Sequence, residues 1–274
     1  MPRINFLFWN LNKQPLLPLL ARLVQDRDVD ILILAECEIS VTELLEGINS
    51  QSRRLLTYPV NYSNRLMFLT TLPTDNFRPV RDAAGIAIRR LLLPWGGDLL
   101  LTAVHLPSKL HQSDNDQIYV CTQLARYIAE AEAQYGHTRS VIIGDLNMNP
   151  FEVGVVGADG LHAVMSRSIA LRRFRTVRSE EKIYLYNPMW SYFGRQAPQP
   201  QGTYYYDKRT AVNYYWNVFD QVLLRPDLIP YFADEDLQII DHIDDISLVM
   251  EDGRPNVKVA SDHLPIYFSL DIPA

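Results

Sequence analysis

Apolar positions along this chain fall into two kinds of run. Stretches such as "ILILA" (31–35) and "VII" (141–143) are apolar without interruption, the pattern of strands buried on both faces. Elsewhere the spacing is helical. Leu16, Leu19, Leu20 and Leu23 predict a helix over 15–27, with Pro15 near its first turn. Ile118, Cys121, Leu124, Ala125 and Ile128 predict a second over 115–136, closed by Gly136. In "SVTELLEGINS", Ser40 with Glu43 three residues later reads as a capping box opening a third. Strands are expected at "INFLFWN", around 55–60, 66–71, 84–92 and 98–105, at "SVIIGDLN", and over 202–206, 219–224 and 263–270; 150–180 reads as helix and loop. Strands and helices mix without strict βαβ alternation, which favours a layered α/β architecture with mixed sheets over a pure Rossmann fold.

The strands end in an unusual way. "WNLN" closes the first with Asn10 and Asn12, "ILILAE" stops at Glu36, and "LLLTAVH" stops at His105. "VIIGDLN" presents Asp145 and Asn147, "VFDQVLL" carries Asp220, and "SDHLPI" sets Ser261, Asp262 and His263 before the last strand. One Asn or Asp after a strand is ordinarily a turn former. Repetition changes that. Residues two apart in extended chain face the same way, so Asn10 with Asn12, and Asp145 with Asn147, can converge on one target. Ligand sites in α/β sheets gather at strand ends. Carboxylates and amide oxygens are hard ligands suited to Mg²⁺ or Mn²⁺. With two histidines beside them, they supply what phosphoester hydrolysis by water requires. The chain holds no GxSxG elbow and no GxxxxGK[ST] loop.

Composition adds bounds. With 274 residues, 47% of them apolar and 21% charged, the chain is expected to form one soluble domain, 1–274, with a sizeable core. The net charge is −6 and uneven: Asp227 to Asp252 holds nine acids and no Lys or Arg. That argues mildly against a non-specific DNA coat but not against a metal-assisted nuclease. Cys37 and Cys121 show neither zinc spacing nor a disulfide framework and are expected to be reduced, buried small hydrophobes. "MPRINFLFWNLNK" lacks the continuous apolar stretch of a signal peptide, and no run approaches a membrane span, so the expectation is a cytoplasmic, monomeric protein with no evident protein partner.

Taken in order, "WNLN", "LAECE", "VHLPSK", "IIGDLNMNP", "FDQVLL" and "SDHLPI" resemble the motifs of the endonuclease/exonuclease/phosphatase (DNase I-like) superfamily, across nearly the whole chain from residue 9 to 266. The resemblance implies a four-layer α/β sandwich, two packed mixed β-sheets flanked by helices, with a site where loops of both sheets meet. It implies that Glu36 is the principal Mg²⁺ (or Mn²⁺) ligand and that Asn10, Asn12 and Asp262 complete the metal shell. Asp145 would orient or deprotonate the attacking water, and Asn147 would contact the phosphate. His263 would be the essential histidine, held by Asp220, and His105 the second histidine. Which group is the base stays open.

The resemblance leaves the substrate open too. "AECE" carries Glu38 where abasic-site nucleases have a Lys, and those enzymes lack a counterpart of His105. "NVFDQ" lacks the Cys and Arg of inositol 5-phosphatases. Within "SRSIALRRFRTVR", Arg172 and Arg173 are candidate phosphate contacts, against the plainer reading of a solvated helix face. Lys109, four residues after His105, is a further candidate, against that of a surface lysine. Aromatics crowd 184–219, where they can stack on bases or simply populate strands. The expectation is a divalent-metal-dependent phosphodiesterase, a nuclease on DNA or RNA. The alternatives are a phosphatase or phosphodiesterase on a small or lipid phosphoester, and a non-catalytic binding module of the same fold.

Overall fold

A computed structural model describes residues 1–273 except 52, 53, 60, 62, 64, 110–112, 196–199 and 208–210. Two mixed β-sheets pack face to face with helices outside them, as the sequence implied. The first sheet runs β15-β18-β1-β2-β3, formed by β1 (Arg3–Asn10), β2 (Ile31–Ala35), β3 (Leu66–Thr70), β15 (Gln238–Ile239) and β18 (Ile266–Asp271). The second runs β4-β5-β6-β7-β14-β11-β8, formed by β4 (Phe77–Ala83), β5 (Ile86–Leu92), β6 (Asp98–His105), β7 (Ser140–Asp145), β8 (Ala163–Val164), β11 (Leu185–Tyr186) and β14 (Asp220–Leu224). Three hairpins stand beside them: β9 (Phe174–Val177) with β10 (Glu180–Ile183), β12 (Tyr204–Tyr206) with β13 (Tyr215–Asn217), and β16 (His242–Ile243) with β17 (Ile246–Ser247).

The apolar runs are explained by burial on both faces. Val141 and Ile143 belong to the large core that includes β1 and β2, whereas Ile142 packs with Leu124 and Ile128 of α3 (Asp114–Tyr135). α1 (Leu17–Asp26) and α2 (Val41–Asn49) add Leu20, Leu23, Leu44 and Ile48 to the large core. Ser40 and Glu43 form the expected capping box, and Gly136 ends α3 at φ +71°.

Several expectations need correction. The 150–180 stretch holds short helices α4 (Val153–Val156) and α5 (Arg167–Ala170) but also β8 and β9. The arginine-rich run is therefore a four-residue helix feeding a hairpin, not a helix face. Its turn places Arg178 and Ser179 at φ +47° and +69°, without the Gly or Asn that announces such turns. The strand expected over 84–92 is β5, but its partner β4 gave no alternation and was not anticipated. The strand around 55–60 reduces to a bridge between Thr57 and Thr70, and residue 60 lies outside the described residues. The last strand begins at Ile266, not 263. Among the described residues, no helix is long and apolar enough to cross a membrane.

Candidate active site

Register places the polar strand ends together. Asn10 lies opposite Ala35, so Glu36 follows directly beside it. His105 lies opposite Asp145 in the parallel pair β6/β7, and Asp145 lies opposite Asp220 in the antiparallel pair β7/β14. One end of the sandwich therefore collects Asn10, Glu36, His105, Asp145 and Asp220 from two sheets. Gly144 permits this crossing: it sits at φ +140°, and a Cβ there would meet the Val104 carbonyl oxygen at 2.0 Å. Gly85 does the same for His105. Its carbonyl accepts from His105 N at 2.8 Å, and a Cβ at its φ of +72° would strike the His105 oxygen at 2.1 Å.

Asp145 is the focus. Its Oδ1 accepts from Asn147 N at 2.8 Å and its Oδ2 from Asn10 Nδ2 at 3.1 Å. The Nε2 atoms of His105 and His263 each stand 4.0 Å from that Oδ2. Burial pushes the Asp145 carboxyl up to about 6, opposed by the two histidines. His263 donates from Nδ1 to Asp220 Oδ2 at 2.8 Å, which directs Nε2 toward Asp145. Burial disfavours the imidazolium, but the Asp220 carboxylate, with Asp145 and Asp262 behind it, overcomes that and raises His263 to about 10.

Glu36 Oε1 lies 3.3 Å from His105 Nε2, and that contact holds its carboxyl below the usual range. Glu36, Asn12 and Asn147 all sit in left-handed backbone, at φ +46°, +45° and +52°. Asn10 Oδ1 accepts from Asn12 N at 3.0 Å, which ties the first loop. Asn147 spends one amide hydrogen on the Leu106 carbonyl at 2.8 Å, so its side chain is fixed. Asp262 lines the same cleft of about 770 Å³. A second cavity of about 650 Å³, with Lys13 and Arg65 on its walls, shares Glu36 and His105 with the first.

Among the described residues, Asp145, Asp220 and His263 bring one ligating atom each to within 4.8 Å of one another, a set able to chelate a divalent metal. In the geometry present, His263 Nδ1 is committed to Asp220. Glu36, Asp262, Asn10 and Asn12, which line the cleft, carry carboxylate and amide oxygens, the hard donors that suit such a cation.

The structure does not bring Arg172 or Arg173 here. Arg173 pairs with Asp227, which follows the end of β14 remote from Asp220. Arg172 is exposed on the turn between α5 and β9. Lys109 does line the cleft, but its ammonium is paired with Glu152.

Other contacts around the site were not anticipated in the sequence. Trp9 Nε1 donates to the His263 carbonyl at 2.8 Å, and Ser261 Oγ bridges Asn10 O and His263 N. Thr203 Oγ1 accepts from Phe219 N and Asp220 N. Asn149 does more than form a turn: it accepts from Val218 N at 2.9 Å and donates to Asn217 Oδ1 at 2.8 Å, joining the loop after β7 to the segment before Asp220. Gln221 Nε2 donates to the carbonyls of Met148 and Val218. Its signal was available, as a carboxamide in an otherwise apolar buried strand.

No protein-family model matches the sequence, and no curated protein matches it. Solved structures do match over nearly full length. The 3′ phosphatase NExo from Neisseria, bound to a product DNA hairpin, superposes with a TM-score of 0.57 at 14% identity, covering 98% of this chain and 100% of that one. Truncated TDP2 from Caenorhabditis elegans gives 0.56 at 16%, covering 98% of both chains. An endonuclease/exonuclease/phosphatase family protein from Leptotrichia buccalis C-1013-b gives 0.56 at 10%, covering 98% of this chain and 100% of that one. This chain therefore shares the four-layer fold of endonuclease/exonuclease/phosphatase structures, with its own cluster of carboxylates, amides and histidines at the strand ends.

Proposed function

We propose that this protein is a divalent-metal-dependent phosphodiesterase that cleaves nucleic acid. One observation carries the reading: a buried carboxylate oxygen, Asp145 Oδ2, flanked at 4.0 Å by the Nε2 atoms of two histidines and held by an asparagine amide. In this reading Glu36, with Asn10, Asn12 and Asp262, holds Mg²⁺ or Mn²⁺. The cation supplies neutralisation of charge on the phosphoryl group.

The rest falls to the chain's own side chains. Asp145, held near neutrality by burial, orients the attacking water and accepts its proton at Oδ2. His263 Nε2–H, kept charged by Asp220, donates to a phosphoryl oxygen, and His105 Nε2 offers a second donor across the cleft. The fixed Asn147 amide steers the phosphate, while Lys109 stands on the rim with its ammonium held by Glu152. Arg172 and Arg173 take no part.

An extended substrate is supported by the two cavities that meet at Glu36 and His105, since a polymer can cross the centre through both. The structural relatives solved with DNA products, NExo and Danio rerio TDP2, support nucleic acid as the class. A small or lipid phosphoester is favoured by one observation, that no described arginine lines the larger cavity. The test is a purified-protein screen with Mg²⁺ or Mn²⁺ against single-stranded DNA, duplex DNA, RNA, inositol phosphates and phospholipids, with a chelator control. Chelator-sensitive cleavage of a nucleic acid is expected. Turnover of only the last two classes overturns the nuclease reading, and no turnover of any class overturns the phosphodiesterase. Asp145→Asn should lower kcat by about 10²- to 10⁴-fold while leaving the circular dichroism spectrum unchanged.

A further inference from the structure

His263 is held from three directions by hydrogen bonds: Asp220 at Nδ1, Trp9 at its carbonyl and Ser261 at its backbone N–H. These fix the main chain and one ring atom. A single ring hydrogen bond still lets an imidazole swing about it. The face of the ring is covered by something else. Tyr204 forms an antiparallel bridge with His263, and its ring lies 4.6 Å from the imidazole centroid at 37°. Tyr204 is itself backed by Phe219 at 5.4 Å and Tyr206 at 6.1 Å, both near-parallel to it. The residue before it, Thr203, accepts from the backbone N–H groups of Phe219 and Asp220 and receives Leu264 N at its carbonyl. Residues 203 and 204 therefore touch both members of the His263–Asp220 pair.

We infer that Tyr204 is a positioning residue, whose ring clamps the His263 imidazole against Asp220 so that Nε2 faces the phosphoryl group. This rests on the phosphodiesterase reading for its kinetic part only. Packed at 4.6 Å, the tilted aromatic face restricts the swing of the imidazole about its bond to Asp220. The hydroxyl is not needed for this. Burial raises the Tyr204 phenol to about 12, so it stays protonated throughout the neutral range.

The experiment compares Tyr204→Phe, which keeps the ring, with Tyr204→Leu, which removes it. Two readouts are taken on the full chain. The first is kcat and KM on bis(p-nitrophenyl) phosphate with Mn²⁺. Leu should lower kcat by about 10- to 100-fold with KM little changed, the scale expected when a catalytic group loses its orientation, and Phe should restore it. The second is the ring-proton NMR shift of His263 in ¹³C-histidine-labelled protein, assigned with His263→Gln. The stacked ring should move that resonance upfield in wild type and in Tyr204→Phe, and the Leu variant should lose the displacement. An effect of Leu on KM alone would make Tyr204 a substrate platform and overturn the inference. A fall in kcat with Phe equal to that with Leu would do so too, because the hydroxyl would then be the active part. If wild type turns over neither this diester nor any substrate of the screen above, the phosphodiesterase reading fails, and the NMR comparison still decides the clamp: an unchanged His263 resonance in Tyr204→Leu refutes it.

Discussion

Glu36 stands in left-handed backbone at φ +46°, where only glycine rests without cost. A residue held there needs a reason, and the cleft gives one: the following turn aims the carboxylate at His105 and the open cavity. Replacing it should expose that trade. Glu36→Gly should lose no stability and gain up to about 1 kcal/mol from relief of strain. It should also abolish the rise in melting temperature produced by Mg²⁺. In wild type that rise follows ligand linkage, about 2.7 kcal/mol at a hundredfold excess over Kd. Thermal melts with and without Mg²⁺ measure both. An equal metal response in the two proteins would remove Glu36 from the metal shell.

Two elements carry predictions of their own. The strand β7 passes Gly144 with no room for a side chain, so Gly144→Ala should destabilise by about 3 kcal/mol or more, read from the denaturant midpoint at constant slope. The hairpin β9–β10 is pinned by His162, which is buried at φ +51°. Its Nδ1 donates to Ile183 O at 3.2 Å, and its Nε2 accepts from Arg175 Nε at 2.8 Å. Tyr184 stacks on it at 4.5 Å. The acceptor role at Nε2 needs the neutral ring, and the His162 pKa is lowered by burial first and then by Arg175 and Arg225, against the Ile183 hydrogen bond, which raises it. The unfolded chain takes up its proton near the ordinary value of 6.5, before the folded one does. This stabilisation is therefore complete above that pH and is lost as pH falls through the lower folded value. Amide exchange over 174–183, corrected for intrinsic rates, should show less protection at pH 5.5 than at pH 7.5, and His162→Gln should flatten the difference. The same hairpin marks where the sequence was silent. Buried strands and capped helices were readable because apolar period and caps are local. β4, β8 and β9 were not: β4 and β9 bury too few side chains to show an apolar period, and β8 is two residues long and owes its place to β11, a strand well along the chain. At the site, strand-end carboxylates, amides and histidines were visible as a repeated motif. The parts played by Trp9, Thr203 and Asn149 were not, because each depends on a neighbour that only folding supplies.

At the scale of the whole molecule, each sheet contributes residues the other lacks. Asn10 and Glu36 come from the first, while His105, Asp145 and Asp220 come from the second. Docking of the sheets through the shared core therefore sets the distances at Asp145 Oδ2. A core truncation at their interface, such as Ile143→Ala, should lower stability by about 2–5 kcal/mol. It should also lower kcat beyond the fraction unfolded, which activity measured alongside a denaturation curve would reveal. The pairing of β1 with β18 sets Phe8 opposite Ile266 and Arg3 opposite Asp271. During synthesis, β1 leaves the ribosome long before β18, its antiparallel neighbour, is made. His263 arrives only then, with Trp9 ready to receive its carbonyl. A ribosome-bound chain halted short of residue 263 has an open sheet edge and no assembled centre. On the reading proposed above, such a chain is silent toward the RNA to which it is still tethered.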